Sequence, residues 1–156
     1  MADIIDRKEY LTAPLIRYVH TSTKKQIRKF DRWMNVEWCD DGISKQFPLA
    51  TFGASYCCVI AVRGGKQYGL IHLMSRDDIY EMTPEFVNGF RAKNLQAVLV
   101  AGIRQSDLEI AAGDMDIIAK VFDPKKMIEK DVVIDPSNNC IFIHRYRQKT
   151  QIIPFK

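Results

Sequence analysis

The densest apolar stretches of this chain are short, β-prone and bounded by turn residues. Cys57–Val62 and Tyr68–Leu73 read as short strands, and Gln96–Ile103 (QAVLVAGI) as a buried strand. Gly64-Gly65 lies between the first two, and paired glycines reach the positive φ that a tight two-residue turn demands, so these runs predict a hairpin. Asp131–Ile134 and Cys140–Tyr146 flank Asp135-Pro136-Ser137-Asn138-Asn139 and predict a second hairpin, with Gln151–Phe155 as a terminal strand. Helical spacing dominates elsewhere. After a cap at Thr21-Ser22-Thr23, the segment Lys24–Met34 repeats apolar residues at Ile27, Phe30, Trp33 and Met34, with Lys24, Lys25, Arg28, Lys29 and Arg32 mainly on the other face. Thr83-Pro84-Glu85 has the form of a helix start, predicting a helix to about Lys93. Ser106–Phe122 predicts one or two short helices around Asp114–Lys120, and Asp40-Asp41-Gly42 reads as a turn.

Composition changes this picture little. At 156 residues, with 47% hydrophobic and 27% charged, the chain is an ordinary globular one, long enough to bury a core of its own. Without an internal repeat or linker it reads as a single domain, 1–156. The net charge of +4 is a mild basic bias. The basic helix face has no interleaved aromatics, so it reads as solvated and nucleic acid is not expected as a partner. No run is long enough to span a bilayer, and none is expected to insert. Met1–Arg7 lacks the charged-then-apolar layout of a secretory signal. The expected location is therefore the cytoplasm of the producing cell, or outside it through an export machine that reads no cleavable signal. Cys39, Cys57, Cys58 and Cys140 show no framework spacing and read as reduced thiols.

The hairpin carries the chemistry. With Gly64-Gly65 as a two-residue turn, counting outward sets Cys57 opposite His72, where opposed Cβ atoms lie about 5 Å apart. A three-residue turn would put Cys58 there instead. Either way a thiol meets an imidazole. A thiol beside a protonated imidazole ionises near neutral pH, and the histidine can then serve as acid and base. A catalytic cysteine of this kind should alkylate faster than Cys39 or Cys140 at mildly acidic pH. Buried cysteines are more often inert small hydrophobes, so the pair alone does not establish catalysis. The other polar candidates carry less. His20 reads as a surface or capping residue and His144 as solvent-facing on an edge strand. Asp77-Asp78 reads as solvated, Asp114 and Asp116 as the start of a short helix, and Gly64-Gly65-Lys66 is too short to cradle phosphate. No zinc spacing is present, and no metal or cofactor is expected.

Thr51-Phe52-Gly53-Ala54-Ser55-Tyr56-Cys57, then Val59–Val62, a turn and Tyr68-Gly69-Leu70-Ile71-His72, resembles the catalytic segment of the chemoreceptor glutamine deamidases (CheD). A threonine six residues before the nucleophile, an apolar strand, a turn and a Gly-x-x-His-like segment are that family's layout. The same Thr/Cys/His arrangement occurs in bacterial deamidating toxins, the cytotoxic necrotizing factor and Burkholderia lethal factor group. The resemblance covers about Pro48–Lys156, leaving 1–47 as an N-terminal extension packed on a CheD-like core, 48–156. It implies Cys57 as nucleophile, His72 as acid/base, Thr51 as the residue that orients the imidazole, and Ser55 and Tyr56 at the substrate. Where the family has glycine beside its nucleophile, this chain has Tyr56.

Pattern and resemblance together predict an α/β (α+β) fold, a layered, mainly antiparallel or mixed β-sheet sandwich with flanking helices. They imply hydrolysis of a glutamine side chain in a target protein to glutamate, in a chemotaxis enzyme or a secreted effector. The partner is then a protein with an exposed glutamine. The alternatives are a non-catalytic binding module on the same fold, or another cysteine hydrolase such as a peptidase or transglutaminase.

Overall fold

Strands buried on both faces need two layers to cover them, and this chain supplies both from its alternating side chains. The computed structural model describes residues 2–12, 19–123 and 128–156. Among these, the order is β1 (Asp3–Asp6), α1 (Arg7–Thr12), α2 (Thr21–Ile27), β2 (Arg32–Asn35), β3 (Asp40–Ser44), β4 (Leu49–Ala54), β5 (Cys58–Gly64) and β6 (Gln67–Leu73). Then follow α3 (Arg76–Asn88), β7 (Gln96–Ala101), α4 (Gln105–Ala111), β8 (Asp116–Phe122), β9 (Lys130–Asp135), β10 (Cys140–Arg145) and β11 (Gln151–Pro154). They form two open mixed sheets, β1-β2-β4-β9-β10-β11 and β3-β6-β5-β7-β8. The pairs β2–β4 and β7–β8 are parallel, and the other pairs are antiparallel.

The period-two alternation sorts the core into three apolar layers. Val59, Ala61, Leu70, Val98 and Val100 of the second sheet face Leu49, Val132, Ile134, Ile141 and Ile143 of the first. On the far side of the second sheet, Ile60, Val62, Ile71 and Leu99 pack on Ile79, Phe86 and Leu108 of α3 and α4. Outside the first sheet, Trp33, Ala50 and Val133 pack against Ile27 of α2. The result is a layered α+β sandwich, as expected. No helix among the described residues is long and apolar enough to cross a membrane.

Several local expectations give way to tertiary packing. The helix expected over 24–34 starts earlier and ends at Ile27, and Trp33 and Met34 lie in β2. Trp33 faces α2 while Met34 and Val36 face the second sheet, so a strand covered on both sides imitates a helical stripe. Asp40-Asp41-Gly42 opens β3, and the turn before it falls at Trp38-Cys39, with Cys39 at φ 57°. The helix expected from Thr83 begins at Arg76. Ser75 caps it, accepting from the Asp78 N–H while the Asp78 carboxylate accepts from the Ser75 N–H at 3.2 Å, and Pro84 lies inside it. The helix expected at 114–120 is the strand β8, and α4 precedes it.

The central hairpin turns at Gly65-Lys66, one residue later than expected, with Gly65 at φ +61° and Gly64 paired to Gln67. His72 therefore lies opposite Val59, not Cys57. β10 runs between β9 and β11, so His144 is on an interior strand and buried. It is not solvent-facing: its ring is bonded to Thr150 Oγ1 at 3.0 Å and Gln26 Oε1 at 2.6 Å.

Candidate active site at a crossover between the sheets

Between β4 and β5 the chain leaves one sheet for the other, and Cys57 is the last residue of that crossing. Thr51 and His72 occupy inward positions of β4 and β6, facing each other across the inter-sheet layer. The three side chains meet there. His72 Nε2 lies 2.8 Å from Cys57 Sγ, and His72 Nδ1 lies 2.6 Å from Thr51 Oγ1. Thr51 and His72 are fully buried and Cys57 is 6% exposed.

The pair forms although the expected register is off, and parity explains why. Moving a two-residue turn by one position changes each partner by two, which keeps every side chain on its face. Cys57 and Val59 share a face, so the sulfur reaches the imidazole diagonally. Cys58 points the other way, into the layer under α3 and α4, with Sγ–H directed at the Ile103 carbonyl at 3.5 Å. Burial pushes the Cys58 thiol up to about 12.

The crossing is shaped by glycine and by a buried carboxylate. Between Thr51 and Ala54 the β4–β9 register slips by one residue, and Gly53 there has φ +71°. Asp131 Oδ1 accepts the Gly53 N–H at 3.0 Å, and its Oδ2 accepts the Thr23 hydroxyl at 2.7 Å and the His20 N–H at 3.1 Å. One buried side chain thus ties the bulge to the start of α2. Behind the crossing, a Cβ on Gly102 would lie 1.8 Å from the Ser55 carbonyl oxygen, so only glycine admits this approach. The Gly102 N–H also donates to the Cys57 carbonyl, at 3.4 Å.

Burial dominates the electrostatics. His72 is lowered to about 4, and the Cys57 thiol is raised, in both cases because the inter-sheet layer disfavours charge. The Ser55 and Cys57 backbone N–H groups and the Lys130 ammonium pull the thiol the other way, but less strongly. Lys130 is itself buried, bonded to the Asp123 carboxylate and, at 2.8 Å, to the Ile128 carbonyl. The resting pair is consequently a neutral thiol on a neutral imidazole. Cys39 is exposed and Cys57 is buried, and the Cys39 thiol is raised too, by burial and by the Asp78 carboxylate that accepts from it.

Ser55 is half-buried, and Tyr56, next to Cys57 in the chain, is 61% exposed. Trp38 stands next to His72. Its ring centroid is 6.4 Å from that of His72, its N–H donates to the Phe52 carbonyl at 3.3 Å, and it is 62% exposed. Sequence reasoning missed Trp38, Lys130, Asp131 and Gly102. Only the charged pair Lys130-Asp131 heading an apolar strand signalled anything unusual. Among the described residues, no three His, Cys, Asp or Glu side chains are grouped to hold a metal.

No family model matches the chain, and no curated protein matches it. Among solved structures it is similar to the C-terminal domain of CNFy from Yersinia pseudotuberculosis, with a TM-score of 0.41 and 8% identity. The match covers 80% of this chain and 60% of that one, so the chain spans less than two thirds of the domain it resembles.

Proposed function

We propose that this chain is a cysteine-dependent protein-glutamine amidohydrolase. The observation that carries the reading is the buried relay Thr51–His72–Cys57, in which both imidazole nitrogens are engaged, one by a hydroxyl and one by a thiol. With Sγ–H donating to Nε2, the remaining ring proton sits on Nδ1 and donates to Thr51 Oγ1, which holds the tautomer and the ring plane. As a glutamine carboxamide approaches, His72 Nε2 takes the thiol proton while Sγ bonds to the amide carbon. The carbonyl electrons move to oxygen, where the backbone N–H groups of the Ser55–Cys57 segment stabilise the oxyanion. Collapse breaks the C–N bond, and His72 returns its proton to the departing nitrogen, releasing ammonia. Water then gives a proton to Nε2 and its oxygen to the thioester carbon. The C–S bond breaks, the thiol is restored, and glutamate remains on the target.

The test is mass spectrometry and ammonia release from protein substrates in a cell extract, comparing wild type with Cys57→Ala. Glutamine-to-glutamate conversion that requires Cys57 and His72, persists in chelator and stops when Cys57 is blocked is the expected result. Cleaved peptide bonds would instead identify a peptidase with the same dyad. No covalent change in any protein would leave a binding module.

A further inference from the structure

Beside the dyad lies a cavity of about 680 Å³ whose walls include Val36, Phe52 and the Trp38 indole. That volume holds side chains of a peptide and not a folded element. Trp38 is shared: it walls the cavity and also stands next to His72, so an extended segment with a residue at Cys57 has its neighbours here.

The polar groups of this cavity choose its occupant. Glu37 and Glu129 line it, and neither carboxylate is paired with a lysine or arginine among the described residues. Glu129 stands over the bulge, its Oε1 3.3 Å from where a Cβ on Gly53 would project. Asn35 also faces the cavity. Its residue as a whole is 5% exposed, so it forms part of the cavity floor. An exposed indole flanked by two carboxylates without an ion pair among the described residues is a receptor for a cation, through the ring face and through charge. The chain as a whole carries +4, so the negative cavity runs against its general charge.

We infer that this cavity is a specificity subsite for a lysine or arginine close to the target glutamine. The inference rests on the amidohydrolase reading for the identity of the glutamine, and binding tests it separately from turnover. Short capped glutamine peptides carrying Lys, norleucine or Glu at flanking positions are titrated into full-length Cys57→Ala protein, followed by calorimetry and by Trp38 fluorescence. The lysine peptide should bind about tenfold or more tighter than the norleucine peptide at one or two positions. Glu37→Gln with Glu129→Gln should erase the preference, and Glu37→Lys with Glu129→Lys should turn it toward the Glu peptide. Equal binding of Lys and norleucine peptides, or a preference that survives both double variants, overturns the subsite. Wild type that deamidates all three peptides equally well also overturns it while leaving the amidohydrolase standing. A charge-dependent preference without any ammonia release supports the subsite and removes the reaction.

Discussion

At His72 both ring nitrogens are occupied, so each neighbour has a separable role. Removing Cys57 or His72 should lower deamidation by about a thousandfold or more, since each carries a bond-making or proton-moving step. Thr51→Ala should cost about 10- to 100-fold, the usual effect of losing the group that orients a histidine. It should act mainly on kcat. The pair titrates as a unit that must hold one proton. Because burial lowers His72 to about 4 and raises Cys57, that one-proton form spans neutral pH. The expected pH–rate profile is a broad plateau with its acid limb near 4, read in short assays before the protein unfolds. An acid limb near 6.5 would show that His72 is solvated and that the neutral pair is wrong.

The element that matters most is the β4–β5 crossing, because it puts a residue of neither strand against a histidine of a third. Its geometry depends on two glycines. Gly102→Ala would drive a methyl into the Ser55 carbonyl, which is backbone and cannot rotate aside. The substitution should destabilise the fold by about 1–3 kcal/mol, the range for overpacking. It should also displace Cys57, so activity falls further than stability accounts for. Thermal unfolding and turnover measured on the same preparation separate the two effects. Cys58, the first residue of β5, points to the opposite face and is the control for this element. Cys58→Ala should lower stability modestly and leave turnover per folded molecule unchanged.

Over the whole molecule, two buried neutral histidines make acid the weak direction. His72 and His144 are each lowered to about 4 from an ordinary 6.5, burial being the main cause. Between those values the unfolded chain binds more protons than the folded one. Stability is therefore complete above about pH 6.5 and declines as the pH falls toward 4, by up to about 3 kcal/mol per ring. Denaturant midpoints across that window should fall in wild type and fall less in a folded His144→Gln variant. The N-terminal segment belongs to the same argument. β1 and β2 extend one sheet and β3 edges the other, so deleting residues 1–46 strips β4 and β6 of partners and bares the inter-sheet layer. We propose that the chain folds as one cooperative unit, and the deletion should give insoluble protein. A soluble, active fragment would make the segment separable.

The sequence by itself determined which side chains share a face. Side chains alternate with a period of two, so Cys57 and His72 meet even though the turn falls at Gly65-Lys66. The apolar runs of β5, β6 and β7, the C-terminal hairpin and the layered α+β class were legible for the same reason. Local pattern could not tell a strand covered on both sides from a helix, which is why Trp33, Met34 and the β8 residues were misread. The Thr51–His72 contact had no derivation from local spacing, only a family resemblance behind it, because the two residues lie in different sheets. The neutral state of the dyad, the burial of His144 and the cavity at Trp38 were decided by tertiary structure alone. Each depends on how completely one layer removes water from another, and no stretch of sequence carries that quantity.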